Sequence, residues 1–156
     1  MSGTPEPLPE IVRLLQGKAG AAIGAVQCRT RSRIYVDVES AAVPDLTRIM
    51  FRELGYRLQT VTGTDAGSHI ELLYHWASDR EGFVVSLRTR VDRKRPQIDS
   101  IAGICKGAEW IEREIWELLG VHFRNHPDLR HLLLRDDWPQ GDYPLRRDRG
   151  RGGNHG

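Results

Sequence analysis

The chain has 156 residues, of which 39% are hydrophobic and 28% charged, enough for one domain around one core. A formal net charge of +2 gives no bulk argument for nucleic acid, and the two cysteines belong to no Cys-x-x-Cys pair, which excludes a zinc or iron–sulfur site built by this chain alone. No stretch approaches the roughly 18 apolar residues that span a bilayer, so the protein is expected in the cytoplasm, with any membrane association made through a partner.

Residues 1–8 read as a disordered leader; the first ten residues hold three prolines and no apolar run of the signal-peptide type. Residues 9–17 suit a short helix, with Ile11, Val12, Leu14 and Leu15 on one side and proline at its start. Two strands are expected over 21–29 and 32–38, the second because Ile34, Val36 and Val38 alternate with Tyr35 and Asp37. Pro44 opens a helix through residue 53, carried by Leu46, Ile49, Met50 and Leu54, and Gly55 stands where a C-terminal cap belongs. Three more strands follow over 56–64, 69–77 and 83–91, and the short loops between them favour antiparallel hairpins. This order predicts an α+β two-layer sandwich, α-β2-α-β3, with helices on one face of a mostly antiparallel sheet.

Beyond Arg95-Pro96 the pattern changes. Ile98, Ile101 and Ile104 suggest a helical turn, and a clear helix runs from 108 to 119 with Ile111, Ile115, Leu118 and Leu119 as its apolar face. Glu109 and Arg113 are spaced as a helix-surface pair, and Gly120 ends the helix. The α+β domain is therefore placed at 9–120. Residues 121–148 show no sustained period and read as an extended docking arm, which needs a surface to lie on. Residues 149–156 form a disordered basic tail; Arg146, Arg147, Arg149 and Arg151 crowd this end with Asp148 among them. Such a run is a solvated end or a contact for an acidic partner or anionic headgroups. Cys28 and Cys105 are read as two buried free thiols, with a disulfide between them as the alternative.

The chemistry-bearing residues of the last third do not assemble into a reaction centre. His122, His126 and His131 are spaced by four and five, which matches no recurrent zinc motif. Glu112 and Glu114, two apart on a helix, point in different directions and cannot converge on one substrate atom. An ion-pairing role fits better, with Arg113 on one side and Glu112 and Glu114 free to reach the arm or a partner. Arg130, Arg135, Arg146 and Arg147 would supply counter-charges. Trp110, Trp116, Trp138 and Tyr143 sit beside polar residues, as interface anchors do, or pin the arm to the domain. There is no phosphate-cradling glycine loop; residues 63–67 read as a hairpin loop. No catalytic, cofactor-binding or metal-ligating residue is assigned.

These residues carry a family resemblance. Glu112-Arg113-Glu114 with Trp116, Glu117 and Gly120, then His126-Pro127-Asp128-Leu129-Arg130, Asp137-Trp138 and Tyr143-Pro144-Leu145-Arg146 with Asp148, resemble the 30 kDa subunit family of respiratory complex I, the NADH–quinone oxidoreductase. The resemblance extends over residues 32–148. Glu117-Leu118-Leu119-Gly120 stands where the family commonly has Asp-Met-Phe-Gly, and the wording before the helix also differs. Both changes look more like the equivalent subunit of energy-converting, membrane-bound nickel–iron hydrogenases. The resemblance implies a non-catalytic subunit on the cytoplasmic face of the inner membrane that packs on a large catalytic subunit beside a small iron–sulfur subunit. It binds no cofactor itself; iron–sulfur clusters, and nickel–iron in the hydrogenase branch, belong to the partners. Glu112, Arg113, Glu114, Trp116, Glu117, His126, Asp128, Arg130, Asp137, Trp138, Tyr143, Leu145 and Arg146 are the expected partner-binding residues. The alternatives are the 30 kDa subunit of NADH–quinone oxidoreductase itself, a free-standing adaptor or assembly factor, and a stand-alone hydrolase or metalloenzyme using the histidines.

Overall fold

Period-two alternation builds the sheet. In the computed structural model, which describes residues 8–147, β2 (Arg33–Val38) buries Ile34, Val36 and Val38, and β4 (His69–Ser78) buries Ile70, Leu72, Tyr74 and Trp76. These rows meet Val85, Leu87 and Val91 of β5 (Phe83–Asp92) in one core. With β1 (Ile23–Thr30) and β3 (Arg57–Asp65) they form a five-stranded sheet in the order β1-β2-β5-β4-β3. Every neighbouring pair is antiparallel except β2 and β5, which run parallel. The expected two-layer α+β fold with a mostly antiparallel sheet is the fold observed.

The helices cover one face. α1 (Glu10–Ala19) buries Ile11, Val12 and Leu15. α2 (Val43–Thr47) begins with Pro44 in its first turn and widens over Arg48–Glu53 into a π-helical stretch. There Leu54 N–H donates to Ile49 O at 2.9 Å and Tyr56 N–H to Met50 O at 2.8 Å, while Gly55 takes the positive φ of 67° that ends the helix. α3 (Ala108–Leu119) occupies the span the periodicity predicts and closes on Gly120 at φ 78°. The expected leader falls outside the described residues except for Leu8, and the basic tail falls outside them entirely.

Two expectations are corrected. Ile98 lies outside the helical turn expected with Ile101 and Ile104: Gln97–Asp99 is a short strand, β6, paired in parallel with β7 (His122–Arg124), and helical bonding is confined to one turn in which Ile104 N–H and Cys105 N–H donate to Ile101 O. A period of three isoleucines is met equally by a strand residue followed by turns, and the strand's partner comes from beyond α3, where local pattern cannot see it. Cys28 is exposed on the edge strand, whereas Cys105 is buried.

α3 reaches the sheet at Gly63 of β3. A Cβ there would fall 2.7 Å from Leu119 Cδ1 and 3.3 Å from Ile115 Cγ2. A side chain at a strand glycine normally adds stability. Here Gly63→Val is expected to destabilise the protein by about 1–3 kcal/mol through overpacking, seen as a lower urea midpoint at unchanged m-value.

Candidate docking surface

α3 is amphipathic with an unusual inner face: beside Ile115 and Leu119 it buries Glu112, Arg113 and Glu117, at 0%, 6% and 2% exposure. Buried charges of this kind require partners, and the arm supplies them through its backbone. Glu117 Oε1 accepts the Leu133 N–H at 2.6 Å, and Oε2 accepts Leu132 N–H at 2.9 Å and Leu134 N–H at 3.3 Å. His131 Nδ1 lies 3.3 Å from the same carboxylate, and its ring packs on Trp116 with centroids 5.2 Å apart. Burial pushes the Glu117 acid up, but the three arm N–H groups and His131 outweigh it and hold the carboxyl below its ordinary range. One turn earlier Arg113 donates through Nε to Arg130 O at 3.0 Å and through Nη2 to His131 O at 2.8 Å. A stretch without secondary structure of its own thus has its backbone groups satisfied by one helix.

The rest of the arm is tied at both ends. Asp128 N–H donates to His126 Nδ1 at 3.0 Å, which leaves Nε2–H to donate to Glu109 O at 2.8 Å. Trp138 Nε1–H closes a turn on Asp142 O at 2.8 Å. Tyr143 lies over Gly120, where a Cβ would stand 2.5–2.8 Å from its ring. Arg146 donates to Leu119 O and, at 3.1 Å, to Arg93 O, with its guanidinium 5.5 Å above the Tyr143 ring. Leu145 N–H donates to Leu118 O at 3.0 Å.

The last tie is Asp65, at the end of β3. It accepts both Nε–H and Nη2–H of Arg93 at 2.9 Å, Gly67 N–H at 3.0 Å and Arg147 N–H at 2.9 Å. The Arg93 guanidinium, against the opposing effect of burial, holds this carboxyl far below the usual range. Its folded pKa being depressed, Asp65 contributes stability above the unfolded value near 4, and that contribution is lost as pH falls through the folded pKa. Asp65→Asn is expected to cost about 2 kcal/mol at neutral pH and to flatten the acid limb of a stability–pH profile. An unchanged acid limb would sink the assignment.

Glu112 serves a different purpose. Its Oε1 accepts Ser100 Oγ–H at 2.9 Å and Ile101 N–H at 3.0 Å, fixing the turn after β6, while Oε2 has no hydrogen-bond partner among the described residues. The Tyr74 hydroxyl, on which its charge acts, is likewise buried without one. Burial pushes the Glu112 carboxyl up to about 7.

The ion-pair network expected between α3 and the arm is therefore replaced by side-chain-to-backbone bonds. Glu112 does not reach the arm, and Arg113 turns to arm carbonyls rather than to Glu109. Arg130 pairs with Asp128 at 2.9 Å and Arg135 with Asp137 at 3.5 Å instead of with the helix. Carboxylates and guanidiniums fit unpaired backbone groups as well as they fit each other. Of the thirteen expected partner-binding residues, Glu114, Arg130, Asp137 and Leu145 are exposed; Trp116 on α3 and His126, Asp128, Trp138, Tyr143 and Arg146 along the arm are half-buried. Asp65, Arg93 and Leu133 escape the sequence reading. Asp65 stands in a hairpin whose turn residues explain it locally, and Leu133, at 63% exposure, hides among Leu132 and Leu134 in the sequence.

Fold and site define an α+β domain that clasps its own C-terminal arm along one helix. The family model for the respiratory-chain NADH dehydrogenase 30 Kd subunit matches residues 36–154, and the chain belongs to that family. It is 36% identical over 143 residues to the C subunit of the F(420)H(2) dehydrogenase of Methanosarcina mazei, covering 88% of this chain and 89% of that one. It is 35% identical to the C subunit of the NADH-quinone oxidoreductase of Geobacter sulfurreducens, covering 76% and 75%. A chain of the membrane-bound sulfane sulfur reductase, an archaeal respiratory membrane complex, superposes with a TM-score of 0.78 at 27% identity over 89% of this chain and 83% of that one. Among the described residues no helix is long and apolar enough to cross a membrane.

Proposed function

We propose that the chain is a non-catalytic subunit in the hydrophilic arm of a membrane-associated, complex I-like oxidoreductase, where it holds the large catalytic subunit beside the small iron–sulfur subunit. The observation that carries this reading is the direction of the arm. α3 satisfies its buried Arg113 and Glu117 on the arm's backbone, and this leaves Leu133 and Leu145 facing outward, 63% and 57% exposed, with Leu145 beside Glu114. A surface groove of about 200 Å³ between α3 and β3, lined by Thr60, Gly63, Glu114, Leu118 and Leu145, continues that face. Apolar anchors with a polar rim are what a protein partner buries. Iron–sulfur clusters would reside on the partners, and the assembly would lie on the cytoplasmic face of the inner membrane. The hydrogenase-type branch is the proposed setting, supported by the Glu117-Leu118-Leu119-Gly120 wording at the helix end; relatives named for F(420)H(2) and for NADH and quinone share the scaffold across different electron donors.

The test is a gentle-detergent purification from native membranes with this chain as bait, followed by mass spectrometry. A co-purifying large subunit with nickel-binding cysteines supports the hydrogenase branch. A large subunit without them, accompanied by flavin and NADH modules, moves the chain to NADH–quinone oxidoreductase. Recovery of the chain alone overturns the scaffold. In the same experiment Leu133→Asp is expected to leave the chain folded, since the side chain is exposed, and to reduce recovery of the large partner at least roughly tenfold, the loss of one anchor.

A further inference from the structure

The tip joining β1 to β2 lies before residue 36, where the family match begins, and none of the arm's contacts reaches it. Arg29, Arg31 and Arg33 all stand exposed there, alternating with Thr30 and Ser32. Arg29 lies 5.0 Å over the Tyr35 ring, and Arg31 and Arg33 form no ion pair among the described residues. Elsewhere exposed arginines such as Arg48, Arg57 and Arg124 carry their own carboxylate. The tip is also held in place: Ser32 N–H donates to Thr30 Oγ1 at 3.3 Å, the two hydroxyls are 3.2 Å apart, and Val84 N–H donates to Ser32 O at 2.8 Å.

Beside the tip is a concave groove of about 530 Å³. Leu8, Pro9, Cys28 and Ile34 give it an apolar floor, Arg29 and Arg31 stand on its rim, and no acidic residue among the described residues lines it. β1 is an edge strand, so its outer backbone groups have no partner strand. Register shifts between Ile23 and Val26 and between Cys28 and Thr30 interrupt that edge. Such bulges prevent indiscriminate pairing along the whole strand, which leaves charge to select what binds.

We propose that this groove and the adjoining β1 edge receive an extended acidic segment of a neighbouring protein chain, its carboxylates on Arg29 and Arg31 and its apolar side chains on the floor. Bidentate arginine–carboxylate pairing suits this rim, and short strand addition suits this edge. A concavity with an apolar floor fits a peptide better than a bilayer, whose headgroups present a broad surface. The site is separate from α3 and the arm, so it stands whether or not the large subunit docks there.

The test is fluorescence anisotropy of a labelled peptide of alternating glutamate and leucine titrated with the full chain. Saturable binding is expected, weakened at least roughly tenfold in Arg29→Glu/Arg31→Glu and by added salt, and weakened less in Arg29→Lys/Arg31→Lys, which keeps the charge but loses the bidentate fork. Arg31→Gln alone carries the same test should the double reversal misfold. Four outcomes would overturn the proposal. These are no saturable binding, equal binding of a lysine–leucine peptide, displacement of the peptide by phosphatidylglycerol vesicles, and binding only after residues 1–7 are removed, which would make the chain's own N-terminus the occupant.

Discussion

Glu117→Ala is expected to free the arm from α3 and to lower stability by about 3 kcal/mol, the scale for removing a buried, multiply bonded carboxylate. The substitution leaves Leu132, Leu133 and Leu134 N–H without their acceptor and His131 Nδ1 without the carboxylate beside it. The figure stays below the sum of the separate bonds because the arm can swing into water and rehydrate, an escape that a central strand lacks. Loss should accordingly be local before it is global. Amide exchange at 130–134 should rise at least roughly tenfold, while the β4 amides of Leu72 and Tyr74, in a strand flanked on both sides within the sheet, keep their protection. Uniform loss of protection across the sheet would mean that Glu117 holds the core rather than the arm.

How legible the molecule is from its sequence follows from the range of each interaction. Strands whose pattern is read within themselves, such as β2 with Ile34, Val36 and Val38, stand at the expected places, as does α3, with Gly120 as its stop. β6 escapes such a reading because its pairing with β7 spans α3, and three isoleucines at period three carry no mark of a partner strand. At the candidate site the residues are legible but their direction is not. Charged residues are seldom buried, so Glu112, Arg113 and Glu117 read as surface charges. The structure turns them inward because an arm without its own ladder presents backbone donors and acceptors that only polar side chains on α3 can meet. A carboxylate bound to N–H groups leaves no complementary side chain to find in the sequence.

Glu112→Gln provides the second large effect, of opposite sign. Burial raises the Glu112 carboxyl from 4.5 to about 7. An acid whose folded pKa lies above its unfolded value takes up a proton on folding. Its neutral form costs nothing extra at pH below about 4; the penalty then grows as pH rises towards 7 and stays constant above it. At about 1.4 kcal/mol per pKa unit, the wild-type protein gives up on the order of 3 kcal/mol between these limits. Glutamine keeps an acceptor for Ser100 and Ile101 and places an amide where Oε2 lacks a partner, beside the environment of the equally unpartnered Tyr74 hydroxyl. The variant should match wild type near pH 4 in urea unfolding and exceed it by on the order of 2–3 kcal/mol at pH 8. Asp65 acts in the other direction, losing its contribution as pH falls. Parallel pH profiles for the two proteins would show that Glu112 is ionised and solvated in the folded state, and the buried, proton-bearing carboxyl would have to be given up.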